Sequence, residues 1–382
     1  MSRDRFRALV EDLLDKAEIT VDGPNRWDIQ VKDPRLFRRV LTKGELGLGE
    51  AYMDGWWEAD QLDEFIARVL RARLDREVRR SWSTLMTVVM ARTLNLQSRR
   101  RAFEIGERHY DRGNELFRNM LDARMNYSCA YWEDAYSLDE AQEQKLELIC
   151  QKLELEPGMR VLDIGCGWGA FGRYAAERYG VEVLGVTVSK EQVELGRRLC
   201  EGLPVQFEIM DYRDLEGTFD RIVSIGMIEH VGYKNYRTYL EVAHRCLADD
   251  GLFLLHTIGG NRSATSTEPW TQRYIFPNGM LPSIAQLGPA MEDLFVMEDW
   301  HGFGAHYDRT LLAWHENFTS NWHRIREQYD ERFYRMWRFY LLSSAGAFRA
   351  RHIQLWQIVL SRHGVPGGYR SIRRLSRAEA WA

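Results

Sequence analysis

Two hydrophobic patterns divide the chain. Up to about residue 95 it is mostly helical in character, beginning with MSRDRFRALVEDLL, an amphipathic helix with acids inside its apolar stripe. One short strand is expected at Asp28-Ile-Gln-Val31, just before Asp33-Pro34. Gly44, Gly47, Gly49 and Gly55 predict a loop-rich centre that runs into Trp56-Trp57. From about residue 157 the pattern becomes an alternation of short apolar runs with helical segments. GMRVLDIGCG, VEVLGVTVS, VQFEIMD, FDRIVSIG and GLFLLHTIG read as strands. FGRYAAERYG, KEQVELGRRLC and YKNYRTYLEVAHRCL read as helices between them. Such alternation predicts a parallel α/β sheet. After residue 310 the chain is expected to be helical and rich in Trp, Phe and Tyr.

Ligands on parallel sheets bind at the carboxyl ends of the strands, so the residues just beyond each strand carry the candidate chemistry. The first strand runs into Gly165-Cys166-Gly167-Trp168-Gly169-Ala170, where glycines allow close backbone approach to a ligand. This spacing also fits a dinucleotide site, which needs an acid at the second strand end. The second strand ends instead at Thr187-Val188-Ser189, with Gln192 beyond. The third ends at Asp211-Tyr212, an acid and a ring suited to an adenine, although Asp211 also suits a helix N-cap. The fourth leads through Gly226 to the adjacent acid and base Glu229 and His230, and the fifth ends at His256-Thr257-Ile258.

Composition narrows the class. The 382 residues favour two domains, and 45% hydrophobic with 28% charged residues describes a folded soluble protein. No apolar run is long enough to span a bilayer, and the N-terminus lacks a cleavage-site pattern. The cysteines, 129, 150, 166, 200 and 246, are scattered and lack a CxxC pair, which favours reduced thiols in a cytoplasmic setting and disfavours zinc. The net charge of −4 conceals nine arginines between residues 71 and 103, set against Asp75 and Glu77. They flank the apolar SWSTLMTVVMARTLNL, a pattern that suits either an anionic membrane surface or a solvated linker helix. The acidic remainder disfavours nucleic acid.

The motifs VLDIGCGWG, GVTVSKEQ, MDYRDL, SIGMIEHVG and LLHTIG resemble those of class I methyltransferases that use S-adenosylmethionine. More narrowly, HYDRGNELF, NYSCAYW, IFPNGMLPS and AGAFRARHIQLWQ resemble cyclopropane-fatty-acyl-phospholipid synthases and the related mycolic acid cyclopropane synthases. The resemblance covers nearly the whole chain, and the N-terminal GLGEAYMDGWWE favours the phospholipid branch.

The resemblance implies a Rossmann-like class I methyltransferase domain with a small, mostly helical N-terminal domain. Residues 1–95 would dock on lipid, 96–105 would form a basic linker and 106–382 would be catalytic. S-adenosylmethionine would be held by Tyr127, Ser128, Gly165, Cys166, Gly167, Gly169, Thr187, Gln192, Asp211 and Tyr212. A bicarbonate ion would act as base within Cys129, Glu229, His256, Ile258 and Tyr307, while His230 would face away and support packing. The implied reaction adds a methylene from S-adenosylmethionine across a cis double bond of a phospholipid acyl chain. The implied setting is cytoplasmic and peripheral to the inner face of the membrane, as a homodimer, with no metal. Trp56, Trp57 and the arginines at 99–101 are docking candidates, and several aromatics, Tyr274, Phe303 and those of 333–340 among them, are candidates for an acyl tunnel. The family often carries a cysteine where this chain has Ser344, which argues against a cysteine nucleophile there. Rival readings are a lipid methyltransferase making methyl- or methylene-branched chains, a soluble-substrate methyltransferase, and a non-catalytic lipid-binding protein.

Overall fold

The computed structural model describes residues 3–74 and 113–375. Most of the arginine-rich stretch, the apolar run 81–96, the linker expected at 96–105 and the first residues of HYDRGNELF lie outside the described residues. The chain forms two compact units. One comprises Met1–Leu94, Thr265–Pro277 and Tyr307–Ile353, and the other Asn95–Ala264, Asn278–His306 and Gln354–Ala382. The units therefore interleave along the sequence.

In the first unit, strands β1 (Gln30–Val31) and β2 (Trp57–Glu58) pair antiparallel, Gln30 opposite Glu58. The glycine-rich centre between them is helix, not loop: Arg35–Met53 is helical, kinked at Gly44, where φ is 57°. Gly49 lies where this helix meets the fully buried Trp270, and a Cβ there would stand 2.4 Å from the indole. Close packing thus explains a glycine that propensity alone reads as a breaker. Gly49→Ala is expected to lower stability by about 1–3 kcal/mol in urea unfolding, the usual range for overpacking. Trp57 is 0% exposed and donates its indole N–H to the Leu48 carbonyl at 3.0 Å, so it is a core residue and not a docking residue. Trp56 is half-buried between the guanidinium groups of Arg35 and Arg39, each 4.5 Å from its ring. The long helices Ala305–Ile325 and Glu331–Arg349 complete this unit, the second presenting stacked rings: Phe333 lies 4.2 Å from Tyr329 and 5.7 Å from Trp337. Ser344 sits on that helix, half-buried.

The second unit is built on a seven-stranded sheet. Its strands are β3 (Arg160–Ile164), β4 (Glu182–Thr187), β5 (Val205–Ile209), β6 (Phe219–Ile225), β7 (Leu247–Gly260), β8 (Val296–Gly302) and β9 (Ile353–Ser361), in the order β5-β4-β3-β6-β7-β9-β8. β4–β5, β3–β4, β3–β6 and β6–β7 are parallel, as the alternating pattern predicts, and β8 pairs antiparallel with β9. Strand β9 corrects the expectation that the chain beyond residue 310 is wholly helical.

Alternate residues of each central strand enter opposite cores. Ile222, Phe253, Leu255, Ile358 and Leu360 pack on one face. Val223, Leu252, Leu254 and Val359 pack on the other. A sheet covered on both faces needs such near-continuous apolar strands, which is why these runs are legible in the sequence. The order reverses between β3 and β6, so their carboxyl ends open a crevice at the topological switch point. Among the described residues no helix is long and apolar enough to cross a membrane.

Candidate active site

The crevice is a real cleft, and its walls come from the strand ends. Gly165 and Gly167 turn the chain out of β3 with φ of 87° and 56°, a region closed to most side chains. A Cβ on Gly165 would also press to 2.9 Å from Met227, which lines the opposite side. Cys166, between them, is a buried wall residue.

Beyond β4, Thr187 donates its hydroxyl to Gln192 Oε1 at 2.8 Å, and Ser189 caps the following helix by accepting from the Gln192 N–H at 3.3 Å. With Oε1 engaged, the Gln192 amide has its N–H groups to offer the cleft that both residues line. Beyond β5, Asp211 is the N-cap of a short turn, accepting from Arg213 N at 3.0 Å, and it also lines the cleft beside Tyr212. Asp211 is thus a cap and a cleft-wall residue at once. Tyr127 and Ser128 supply a further wall, the Tyr127 ring standing edge-on to Phe117 at 5.1 Å. Gly169 does not line the cleft. It begins the helix Ala170–Tyr179, where a Cβ would meet the Phe207 ring at 2.4 Å.

Three polar wall residues escaped the sequence reading. Asp163, on β3, is 2% exposed, and its Oδ1 has no hydrogen-bond partner. Burial pushes its carboxyl up to about 7, against the pull of Lys145. An acid inside an otherwise apolar strand was its available signal. Lys145, on the helix Leu138–Lys152, is 1% exposed and donates to Asn126 Oδ1 at 2.7 Å and Ser128 Oγ at 3.2 Å. Burial lowers its ammonium to about 8. It is one charge among many in LDEAQEQKLELICQK, and nothing local distinguishes it. Asn126 belongs to the same wall and is tied to Asp122, which accepts from its backbone and side-chain N–H groups at 2.7 and 2.8 Å.

His230 corrects the sequence reading as well. It does not face away but lines the cleft, and burial lowers its imidazole to about 4, so it is neutral. The single helical turn Ile228–Val231 explains why: it aims neighbouring side chains in different directions.

Glu229, Ile258, His256 and Cys129 lie outside the cleft lining but in the same unit. Glu229 Oε1 accepts from the Ile258 backbone N–H at 2.8 Å, while Oε2 is buried without a partner. Burial outweighs the opposing pull of the Ile258 N–H, its own backbone N–H and the Thr257 hydroxyl and raises the carboxyl to about 7. His256 is 1% exposed, pairs with Ile225 across β6 and β7, and likewise has a buried Nε2 without a partner. Burial first, then the charges of Lys145 and Lys152, keep His256 well below its ordinary range. Both orphaned atoms belong to residues tied to β7, Glu229 through the Ile258 N–H and His256 directly, and each can make one more hydrogen bond. Cys129 is fully buried, with its Sγ 3.3 Å from the Ala130 carbonyl. All five cysteines are free and buried. Tyr307 belongs to the other unit, where it stacks on Phe348 at 4.6 Å.

The cleft fits a nucleoside-bearing ligand: paired turn glycines, an amide and a hydroxyl at the second strand end, an acid and a ring at the third. The dinucleotide alternative lacks its ribose-binding acid at β4.

Comparison with known proteins agrees with this geometry. The model of the family described as mycolic acid cyclopropane synthetase matches residues 97–358. The chain is 54% identical over 370 residues to the cyclopropane-fatty-acyl-phospholipid synthase of Escherichia coli strain K12, covering 97% of each chain. It is 33% identical over 353 residues to a tuberculostearic acid methyltransferase of Mycobacterium tuberculosis, covering 87% of this chain and 82% of that one. Among solved structures, mycolic acid cyclopropane synthase CmaA1 complexed with SAH and CTAB superposes with a TM-score of 0.63 at 33% identity, covering 68% of this chain and 97% of that one.

Proposed function

The chain belongs to the mycolic acid cyclopropane synthetase family, and from that premise we propose that it transfers a methylene group from S-adenosylmethionine to the cis double bond of an unsaturated phospholipid acyl chain, leaving a cyclopropane ring and S-adenosylhomocysteine. One observation carries the reading: the buried, partnerless Glu229 Oε2, on the turn after β6, and His256 Nε2, within β7, on the sheet whose strand ends form the cofactor cleft.

Bound S-adenosylmethionine supplies an electrophilic methyl group, and a bicarbonate ion held by Glu229, His256, Ile258 and Cys129 supplies the base that ring closure needs. The residues suit that ion. Glu229 is fixed through Oε1, which leaves Oε2 to accept the one hydrogen that bicarbonate carries. Ile258 contributes the anchoring N–H and Cys129 a small buried wall. Burial of all these groups keeps water from a reaction in which a weak alkene nucleophile must compete with it. On the cofactor side, Gln192 and Thr187 orient a polar group and Tyr212 packs against a ring. The arginines of 71–103 support docking on an anionic bilayer.

The test is mass spectrometry of anionic vesicles with cis-unsaturated chains, incubated with the protein and methyl-labelled S-adenosylmethionine, with and without bicarbonate. We expect a labelled acyl chain heavier by one CH₂, upfield ring protons by NMR, and loss of product on bicarbonate depletion. A heavier chain without ring protons would establish instead a methyl- or methylene-branching enzyme, the reading favoured by the M. tuberculosis relative. Unchanged lipid despite tight cofactor binding would overturn both.

A further inference from the structure

A buried polar chain runs from the interior of the second unit to His256, and its donors all point one way. Lys152 is 0% exposed, at the end of the helix Leu138–Lys152. Its Nζ donates to Gln357 Oε1 at 2.9 Å, lies 2.9 Å from His301 Nδ1, and stands 3.8 Å from Asp299. Asp299 is itself held by Arg373 and by the Ser371 hydroxyl at 3.1 Å. Gln357, on β9 and 0% exposed, places Nε2 3.2 Å from His256 Nδ1.

We propose that Lys152 and Gln357 are positioning residues that hold the His256 imidazole in a single tautomer, with its hydrogen on Nε2. Donor and acceptor capacities dictate the assignment. Burial lowers Lys152 to about 7, and below that pH its ammonium only donates, so it takes the carbonyl end of the Gln357 amide. The other end of that amide is NH₂, which only donates. His256 Nδ1 must therefore offer a lone pair, and a neutral imidazole with a bare Nδ1 carries its hydrogen on Nε2. The ring stays neutral because it is buried beside two lysines.

This tautomer limits the chemistry. Nε2, buried and without a protein partner, presents an N–H. It binds an acceptor, such as an oxygen of a small anion, and it cannot be the base that takes a proton from the substrate. The identity of that acceptor rests on the bicarbonate reading above; the tautomer does not.

The experiment is magic-angle-spinning NMR of the full chain, labelled with ¹³C and ¹⁵N at histidine and glutamine. His256 is assigned by the loss of its signals in His256→Asn, which separates it from His301, the residue opposite Gln357 on β8. Its ¹⁵N shifts are expected to show a protonated Nε2 and a bare Nδ1 at about pH 6, where an ordinary imidazole would be largely charged and Lys152, lowered by burial to about 7, is still an ammonium. In Gln357→Glu, where the new carboxylate accepts from Nδ1, the hydrogen should move to Nδ1 or the ring should become charged. That variant should turn over at least tenfold more slowly with unchanged affinity for S-adenosylmethionine. A wild-type ring protonated on Nδ1, or a mixed one, would overturn the proposal without any variant, and so would an unaltered tautomer in Gln357→Glu. Bicarbonate-independent turnover alongside the expected spectrum would remove the bicarbonate reading and leave the tautomer standing.

Discussion

Replacing Glu229 by Gln is expected to cut turnover by about 10²- to 10⁴-fold, the size of effect typical of a residue that serves proton transfer, while making the ligand-free protein more stable above neutral pH. The two effects share one cause. Glu229 is buried, with Oε1 accepting from the Ile258 N–H and Oε2 without a hydrogen-bond partner, the Thr257 hydroxyl and its own backbone N–H only partly offsetting the burial. Burial lifts its carboxyl to about 7, above the ordinary 4.5, so the folded state binds this proton more tightly than the unfolded state. Stability contributed by the neutral acid is present below pH 4.5 and is lost as pH rises through about 7. A shift of that size corresponds to about 3 kcal/mol. The amide of the variant carries no charge to desolvate, so it escapes the penalty but can no longer titrate. Thermal unfolding of the ligand-free proteins should show similar midpoints near pH 5 and a higher midpoint for the variant near pH 8, on either side of the raised carboxyl. Full activity on lipid would remove Glu229 from the site; a variant less stable than wild type under the alkaline condition would show that its carboxylate is better satisfied than the geometry indicates.

Lys145→Met should act in the opposite sense on stability. Lys145 donates to Asn126 Oδ1 and Ser128 Oγ, and its charge opposes the rise of Asp163. Methionine fills much of the same volume but leaves those acceptors without a donor in a dry wall. Losing one partner of a buried polar and charged group costs about 3–5 kcal/mol. The segment Asn126–Ser128 then loses its tether, so affinity for S-adenosylmethionine should fall at least tenfold, about 1.4 kcal/mol. Urea unfolding measures the first effect and titration calorimetry the second. Adding Asp163→Asn should recover part of the stability, because it removes the buried acid left without its cation, but not the affinity. Unchanged cofactor binding in Lys145→Met would confine Lys145 to a structural role.

Strands such as VLDIGCG and LLHTIG are buried on both faces, so their side chains had to be apolar over consecutive positions and their ends had to be glycine or polar. Local pattern therefore determined the parallel sheet and the strand-end residues Gly165, Thr187, Asp211 and Glu229, but it ended the fifth strand at His256, whereas β7 continues to Gly260 and keeps His256 inside the ladder. Family resemblance, not local pattern, pointed to the chemistry.

Tertiary structure decided whatever depends on partners distant in sequence. Trp57 reads as an exposed anchor until the Leu48 carbonyl and a covered core claim it. Gly49 reads as a helix breaker until Trp270 lies across it. His230 reads as a packing residue facing away until a single helical turn brings it to the cleft wall. Lys145 and Lys152, two charges on one helix, become a cleft residue and the head of a relay to His256 only because Asn126, on one side, and Gln357, 205 positions beyond Lys152, close on them. The reason is that periodicity reports which face of an element is buried, whereas a hydrogen bond across the fold depends on which two elements meet. The sheet and the chemical groups along it follow from local pattern; which of those groups are held, desolvated and left with an atom to offer follows from how the helix Leu138–Lys152 meets β9 and the strand ends.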